Sequence, residues 1–135
     1  MKKEIDTYIG FVDGGVLSLL LTESNNLIIH IKLWNDAIAN VVFTDVLQFT
    51  YSRGDFIEAL YEIDDSHYLQ AAVDRHYVKK PQSHPYKLFQ IEDIQDCPFV
   101  QVVAAQLNIE YFDHQGNVLD SRNHGSSHEL NENHD

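Results

Sequence analysis

Residues 27–34 read LIIHIKLW. Successive side chains of a β-strand point to opposite faces, so a period of two marks a half-buried strand. Leu27, Ile29, Ile31 and Leu33 fall on one face; Ile28, His30, Lys32 and Trp34 fall on the other. The preceding run, VLSLLLT at residues 16–22, alternates in the same way and places Leu17, Leu19 and Leu21 together. The residues between, ESNN, are turn formers, so the two runs predict a hairpin. Asp13, Gly14 and Gly15 carry a tight-turn signal, which predicts a short strand over Tyr8–Val12 ahead of it.

The period of two continues downstream. NDAIAN (residues 35–40) reads as a connection and VVFTDVLQFTYS (residues 41–52) as the next strand, rich in β-branched and aromatic residues. Val41, Phe43, Leu47, Phe49 and Tyr51 share a face, which Asp45 interrupts, either as a bulge that re-aims the carboxylate or as a functional acid. After the Arg53-Gly54-Asp55 turn, IEALYEI places Ile57, Ala59, Tyr61 and Ile63 opposite Glu58 and Glu62.

The period then changes. Leu69, Ala72, Val73, His76 and Tyr77 stand at the i, i+3, i+4, i+7, i+8 spacing of one helix face, which predicts a helix near residues 66–79. Asp65 or Ser66 suits its N-cap, Lys79 and Lys80 suit its C-terminal dipole, and Pro81 stops it. PQSHP is a loop, YKLFQIEDI a strand, QDCP a turn, and FVQVVAAQLNIEYF the last long strand, with Val103, Ala105, Leu107, Ile109 and Tyr111 inward. DHQGN closes a turn before Val118 and Leu119. Hairpin-length connections favour antiparallel pairing. The expected class is α+β: a mainly antiparallel sheet, curved or folded into a small sandwich, with one helix over a face or end.

The chain has 135 residues, which suits a single domain with a substantial core. That domain is expected over residues 1–120. The segment from Ser121 to Asp135 is polar and expected to be disordered. Asp and Glu total 21 against nine Lys and Arg, a net charge of −12. Such a surface disfavours nucleic acid and anionic membranes and favours a basic protein partner. The longest apolar run, VLSLLL, is far too short to span a bilayer, and the N-terminus lacks the apolar core of a signal peptide, so a soluble cytoplasmic protein is expected. Cys97 is the sole cysteine, so no intrachain disulfide forms; beside Pro98 it reads as a small core or rim residue.

The sequence carries no nucleotide-binding glycine loop, no nucleophile elbow and no metal-ligand motif. No catalytic residue, cofactor or metal is therefore assigned. His124, His128 and His134 cluster with acids in the tail, but Gly125, Ser126 and Ser127 prevent a helix from aligning them. SRGDF matches a three-residue adhesion motif that recurs by chance.

Two segments, LIIHIKLWNDAIANVVFTDVLQF and YKLFQIEDIQDCPFVQVVAAQLNIEY, resemble small bacterial domains of unknown function. In those domains a strand ending in Trp and an acid leads into an aromatic strand, and a hairpin with a VVA-type strand closes the fold. Some of these families are similar to immunity proteins of polymorphic toxin systems. The resemblance implies an antiparallel α+β domain that binds a toxin and supplies no catalytic residue.

Three functions follow as expectations. The first is a protein-binding module, an acidic immunity-like inhibitor of a basic toxin, with Trp34, Asp36, Asp45, Glu58 and Glu62 as its surface. Tryptophan is a frequent interface anchor, and acids can mimic a nuclease's phosphates. The alternative is a small ligand-binding domain or enzyme with a pocket between sheet and helix, built from His30, His76, Asp45 and Tyr51. The third is self-association as a homodimer through Ile28 and Trp34.

Overall fold

A computed structural model describes residues 1–79 and 81–124. Eight strands form one antiparallel sheet: β1 (Lys2–Glu4), β2 (Gly15–Leu21), β3 (Leu27–Lys32), β4 (Ile38–Tyr51), β5 (Ile57–Ile63), β6 (Lys87–Asp93), β7 (Pro98–Phe112) and β8 (Val118–His124). A single helix, α1 (His67–His76), lies between β5 and β6 in the chain. The expected class is the observed one: an α+β domain whose sheet is open and curved. The strand order is β1-β5-β6-β7-β4-β3-β2, with β8 on β7.

Two long strands, β4 with 14 residues and β7 with 15, form the spine. They pair with each other from Ile38↔Phe112 to Tyr51↔Val100. Their outer partners change part-way along. β3 covers β4 over Ile38–Phe43. β6 takes Pro98–Ala104 of β7, and β8 takes Leu107–Phe112. The sheet therefore has two wings joined by the spine, and it curls around its concave side. At one end the two wings meet: the Asp13 amide donates to the Ile57 carbonyl (2.8 Å) and the Ile57 amide to the Gly14 carbonyl (2.9 Å).

The concave side holds the main core. Leu27, Ile29 and Ile31 of β3 and Leu33 beyond it are buried there, as their alternation predicts, with Val41, Phe43, Phe89, Ile91, Leu107, Ile109 and Tyr111. A second, smaller core lies on the opposite face, where Leu69, Ala72 and Val73 of α1 pack on Leu88 and Val103. β7 thus feeds both cores. Near Ala104 its neighbours switch sides: Val102 and Ala104 join the concave core, whereas Val103 and Ala105 face the helix. Alternation alone assigns Val103 and Ala105 to the same side as Leu107. It fails because the spine kinks between Ala104 and Leu107, opposite Asp45.

Bulges account for the other departures from simple alternation. A register shift between Val46 and Gln48 carries Val46 to the concave core and Leu47 to the helix side. One between Val16 and Ser18 brings Val16 and Leu19 against the core and leaves Leu17 exposed; Leu21 keeps the face of Leu19 and is exposed at the end of the strand. One between Ile57 and Ala59 buries Leu60 with Ile57 and turns Ile63 toward the helix. Tyr8–Val12 is not a strand; Phe11 plugs the concave core from a loop. β1, which lacks an alternating signal, pairs with β5.

The helix begins where expected and ends earlier. The Ser66 side chain accepts the Leu69 amide (3.0 Å) as N-cap. Tyr77 takes an extended conformation and closes the helix, four residues before Pro81. The basic residues of its last turn are Arg75 and His76, rather than Lys79 and Lys80. β8 includes Ser121–His124, the first residues of the segment expected to be disordered; residues 125–135, with His128 and His134, lie outside the described residues. Cys97 is exposed.

One loop is sterically fixed. A Cβ built on Gly54 would stand 2.3 Å from Cγ of the Phe99 ring, which is itself buried in the concave core. The Gly54→Ala substitution must push that ring into its neighbours. Overpacking of this kind costs about 1–3 kcal/mol. The expected outcome is a lower urea midpoint with an unchanged m-value; an unaltered midpoint would show that the ring moves aside freely.

Candidate functional site

The five expected partner-binding residues do not form one cluster. Trp34 and Asp36 share the β3–β4 turn, where Asp36 adopts a left-handed conformation (φ 67°) that aspartate tolerates better than most residues. Lys32 lies 3.6 Å from the exposed Asp36 carboxylate. Trp34 is 63% exposed. An open depression beside the turn is lined by Lys32, Asn35, Asp36, Ile38 and His114, the last from the β7–β8 turn. Glu58 is exposed beside the closure at Ile57, and Glu62 is paired with Lys87 at 3.1 Å.

Asp45 occupies a separate site. Its φ is 58°, and the Val46 amide beyond it leaves the sheet ladder to donate to the Asn25 carbonyl (2.8 Å). This conformation turns the carboxylate out of the alternating pattern, so Asp45 is re-aimed by a break in the strand. Its Oδ2 accepts the hydroxyl of Tyr86 (2.9 Å). The same hydroxyl lies 3.5 Å from Nε2 of His76 at the end of α1. His76, Tyr77 and His84 surround the Tyr86 ring, with centroids 5.5, 6.3 and 6.1 Å away. The Tyr86 amide donates to Nδ1 of His84 (3.2 Å). A shallow cavity of about 260 Å³ opens alongside, between α1 and β4, lined by Leu47, Gln48, Ala72, Arg75 and His76.

Of the four residues of the expected ligand site, two come together. Asp45 and His76 converge, through Tyr86. His30 does not join them; it lies on the outer face of β3 between Ser18 and Asn40. Nor does Tyr51, whose ring packs edge-on against Phe99 (6.4 Å). Tyr86 is the residue that sequence reasoning misses. It follows Pro85 at the start of a strand, and nothing local marks it as the meeting point of a strand bulge and a helix end.

The chemistry of this cluster favours a fixed hydrogen bond over proton transfer. Burial, and then the bond to Asp45, push the Tyr86 hydroxyl up to about 12. At neutral pH it is a committed donor, and a poor acid or base for catalysis.

A second polar row lies on the face that carries α1. Nζ of Lys2 approaches Oε2 of Glu92 to 2.6 Å, and the Glu92 side chain is only 5% exposed. Nε2 of Gln90 donates to Glu92 (3.2 Å), and Nε2 of Gln101 donates to Gln90 (2.8 Å). Lys2 also sits 4.3 Å from the centre of the Tyr61 ring. Glu92 raises the Lys2 ammonium above its ordinary range, which holds the cation on β1 in place. The row anchors a short edge strand through one ion pair, buried on the Glu92 side and half exposed on the Lys2 side. Among the described residues no group of three or more His, Cys, Asp or Glu could hold a metal ion, and no helix is long and apolar enough to cross a membrane.

The chain matches no protein-family model, no curated protein and no solved structure.

The Tyr86 bond sets a pH dependence. A tyrosine whose folded pKa is raised contributes stability below its unfolded value, near 10, and loses it as the pH rises toward about 12. Across that window the unfolded chain ionises and the folded one resists. The Tyr86→Phe variant is expected to be less stable by about 1 kcal/mol at pH 7, the usual net value of such a bond. It should also show a shallower fall in stability above pH 10. Denaturant titrations at pH 7, 10 and 11 check both; parallel pH profiles for the two proteins would contradict the assignment.

Proposed function

We propose that this chain is a protein-binding module, an acidic immunity-like inhibitor that docks a basic toxin through the β3–β4 turn. The observation that carries the reading is Trp34: a large indole left 63% exposed at a turn tip, beside an exposed carboxylate, on a chain of charge −12. Exposed aromatics of this kind serve as interface anchors once a partner desolvates them. The net charge steers a cationic partner toward the surface and rejects anionic ones. The resemblance of the LIIHIKLWND and VVFTDVLQF segments to immunity-like domains supports the same reading.

The alternative, a ligand pocket between sheet and helix, has the Asp45–Tyr86–His76 convergence in its favour. However, the adjoining cavity of about 260 Å³ is open and small beside typical ligand sites, which start at about 300 Å³. The tyrosine at the centre of the convergence does not line that cavity, and its hydroxyl is already satisfied by Asp45. Protein binding therefore accounts for more of the surface.

Trp34 is the only tryptophan, so its emission reports on this turn without interference. Titration with a basic nuclease toxin domain that this chain inhibits is expected to shift that emission to the blue, with saturation. Binding should weaken steeply as ionic strength rises, because the attraction of exposed charges is screened. The Trp34→Ala substitution should cost about 2 kcal/mol or more of binding free energy, as an interface anchor does. Unchanged emission in the presence of a bound partner would move the interface elsewhere.

A further inference from the structure

β2 and the C-terminal half of β4 run between the same two corners of the molecule in opposite directions. At one corner the Val46 amide bonds to the Asn25 carbonyl, just past the end of β2. At the other, Gly15 and Val16 share a cavity of about 260 Å³ with Tyr51, Gly54, Phe56 and Phe99. Among the described residues no backbone hydrogen bond joins the two strands. β2 has β3 on its inner side and no strand outside it, and β3 leaves β4 at Phe43. Two strand edges thus border one opening in the curled sheet.

The side chains around this opening are apolar and exposed. Leu17, Leu20 and Leu21 stand on β2, and Phe49, Tyr51 and Phe56 stand on and after β4. Leu17 and Phe56 are each 59% exposed. Leu21 shares the concave side with Phe49 and Tyr51, whereas Leu17 and Leu20 face outward from the same edge, so the β2 edge is apolar on both faces, as at an interaction site rather than a scatter of single residues. The β2 edge also lacks the usual protection. Natural edge strands carry lysine, proline or inward charges against unwanted pairing, whereas GVLSLLLT has no charged residue and no proline in a chain rich in acids. The Val16–Ser18 bulge is its sole defence.

We propose that this opening receives an extended apolar segment of a partner protein, which adds as a strand to the edge of β2. Alternate side chains of the segment would lie on Phe49, Tyr51 and Phe56, one of them entering the cavity at Gly54. The inference rests on the protein-binding reading and gives it a second contact, distinct from the β3–β4 turn. Charge selects the occupant. Asp13, Asp55 and Glu58 surround the corner at Gly15, against Arg53 and the cross-strand Lys32, and Glu23 flanks the other. A segment with basic residues at both ends complements these corners. A second copy of this chain would bring acids against acids, so it is disfavoured as the occupant.

The probe is a short synthetic peptide that alternates valine and phenylalanine with threonine between terminal lysines, labelled for fluorescence anisotropy. It is expected to bind the full chain, and to lose about tenfold or more in affinity when alternate backbone amides are N-methylated, because strand addition depends on main-chain bonds. Leu17→Lys and, independently, Phe56→Lys should cause a similar loss; both positions are exposed, and unchanged circular dichroism confirms that the variants fold. Trp34→Ala should leave peptide binding intact, which separates this opening from the β3–β4 turn: a toxin titration that leaves Trp34 unmoved while the peptide still binds defeats the turn reading alone. No binding of the peptide, or binding indifferent to both lysine variants, overturns the proposal. So does a concentration-dependent dimer in sedimentation that Leu17→Lys dissolves, since the occupant would then be a second copy.

Discussion

The hydrogen bond from Tyr86 to Asp45 stands at the point on which the architecture turns. A sheet with one flat, regular spine would have one set of inward side chains and could build one core. Here β4 and β7 break their alternation at the same level, around Asp45 on one and between Ala104 and Leu107 on the other. On the β6 side of that break both faces of the spine are buried, one in the concave core and one under α1. On the β8 side only the concave face is. A left-handed aspartate gives the break its geometry, and a tyrosine from the far side of the helix holds it. Left-handed conformations at non-glycine residues carry a cost that persists where surrounding contacts over-determine them. The amide bonds to Asn25 and Asn26 and the hydroxyl of Tyr86 are those contacts.

This break also sets the limit of what the sequence can tell. LIIHIKLW is an uninterrupted alternation, and every inward residue it names is buried. The helix stripe is equally plain, because Leu69, Ala72 and Val73 repeat at the right spacing and Ser66 caps them. Where a bulge intervenes, a period of two misassigns everything beyond it, since one extra residue flips the faces. Leu17 and Leu60 are displaced for that reason, and the kink of the spine displaces the pair Val103 and Ala105. Asp45 is legible as a break, because a carboxylate in an apolar row is costly to bury unless the backbone turns it outward. Tyr86 is not, since its partners lie 41 and 10 residues away. β1 escapes detection because what fixes it is a long-range ion pair between Lys2 and Glu92 rather than a pattern of its own.

The acids serve two purposes that composition cannot separate. Asp13, Asp36, Asp45 and Asp96 all adopt positive φ, where a short polar side chain is better tolerated than a bulky one. Asp93 accepts amides from Asp55, Gln95 and Cys97, and those bonds hold its carboxyl below the usual range. Asp113 is depressed likewise, chiefly by the Asn117 amide. Much of the negative charge is therefore built into turns for conformational reasons. It still produces a field, and that field falls where the turns are, at the ends of the strands. An acidic surface need not have been selected for a partner in order to attract one.

Curling is what gives the two apolar surfaces their character. The wings meet through Asp13, Gly14 and Ile57 at one end, and that closure fixes the β4–β5 loop against the start of β2. The Gly54–Phe99 approach locks the same loop from inside. Away from the closure the spine has already bent, so β3 parts from β4 after Phe43 and the concave side is left open beside Phe49 and Tyr51. A small domain could have closed that wall with one more strand of its own. It leaves instead a rigid frame around an apolar opening. For the proposed strand addition such a frame would matter, because an edge that is already ordered spends little conformational entropy on capture. The same bend that lets one short chain build two cores thus leaves it a strand short.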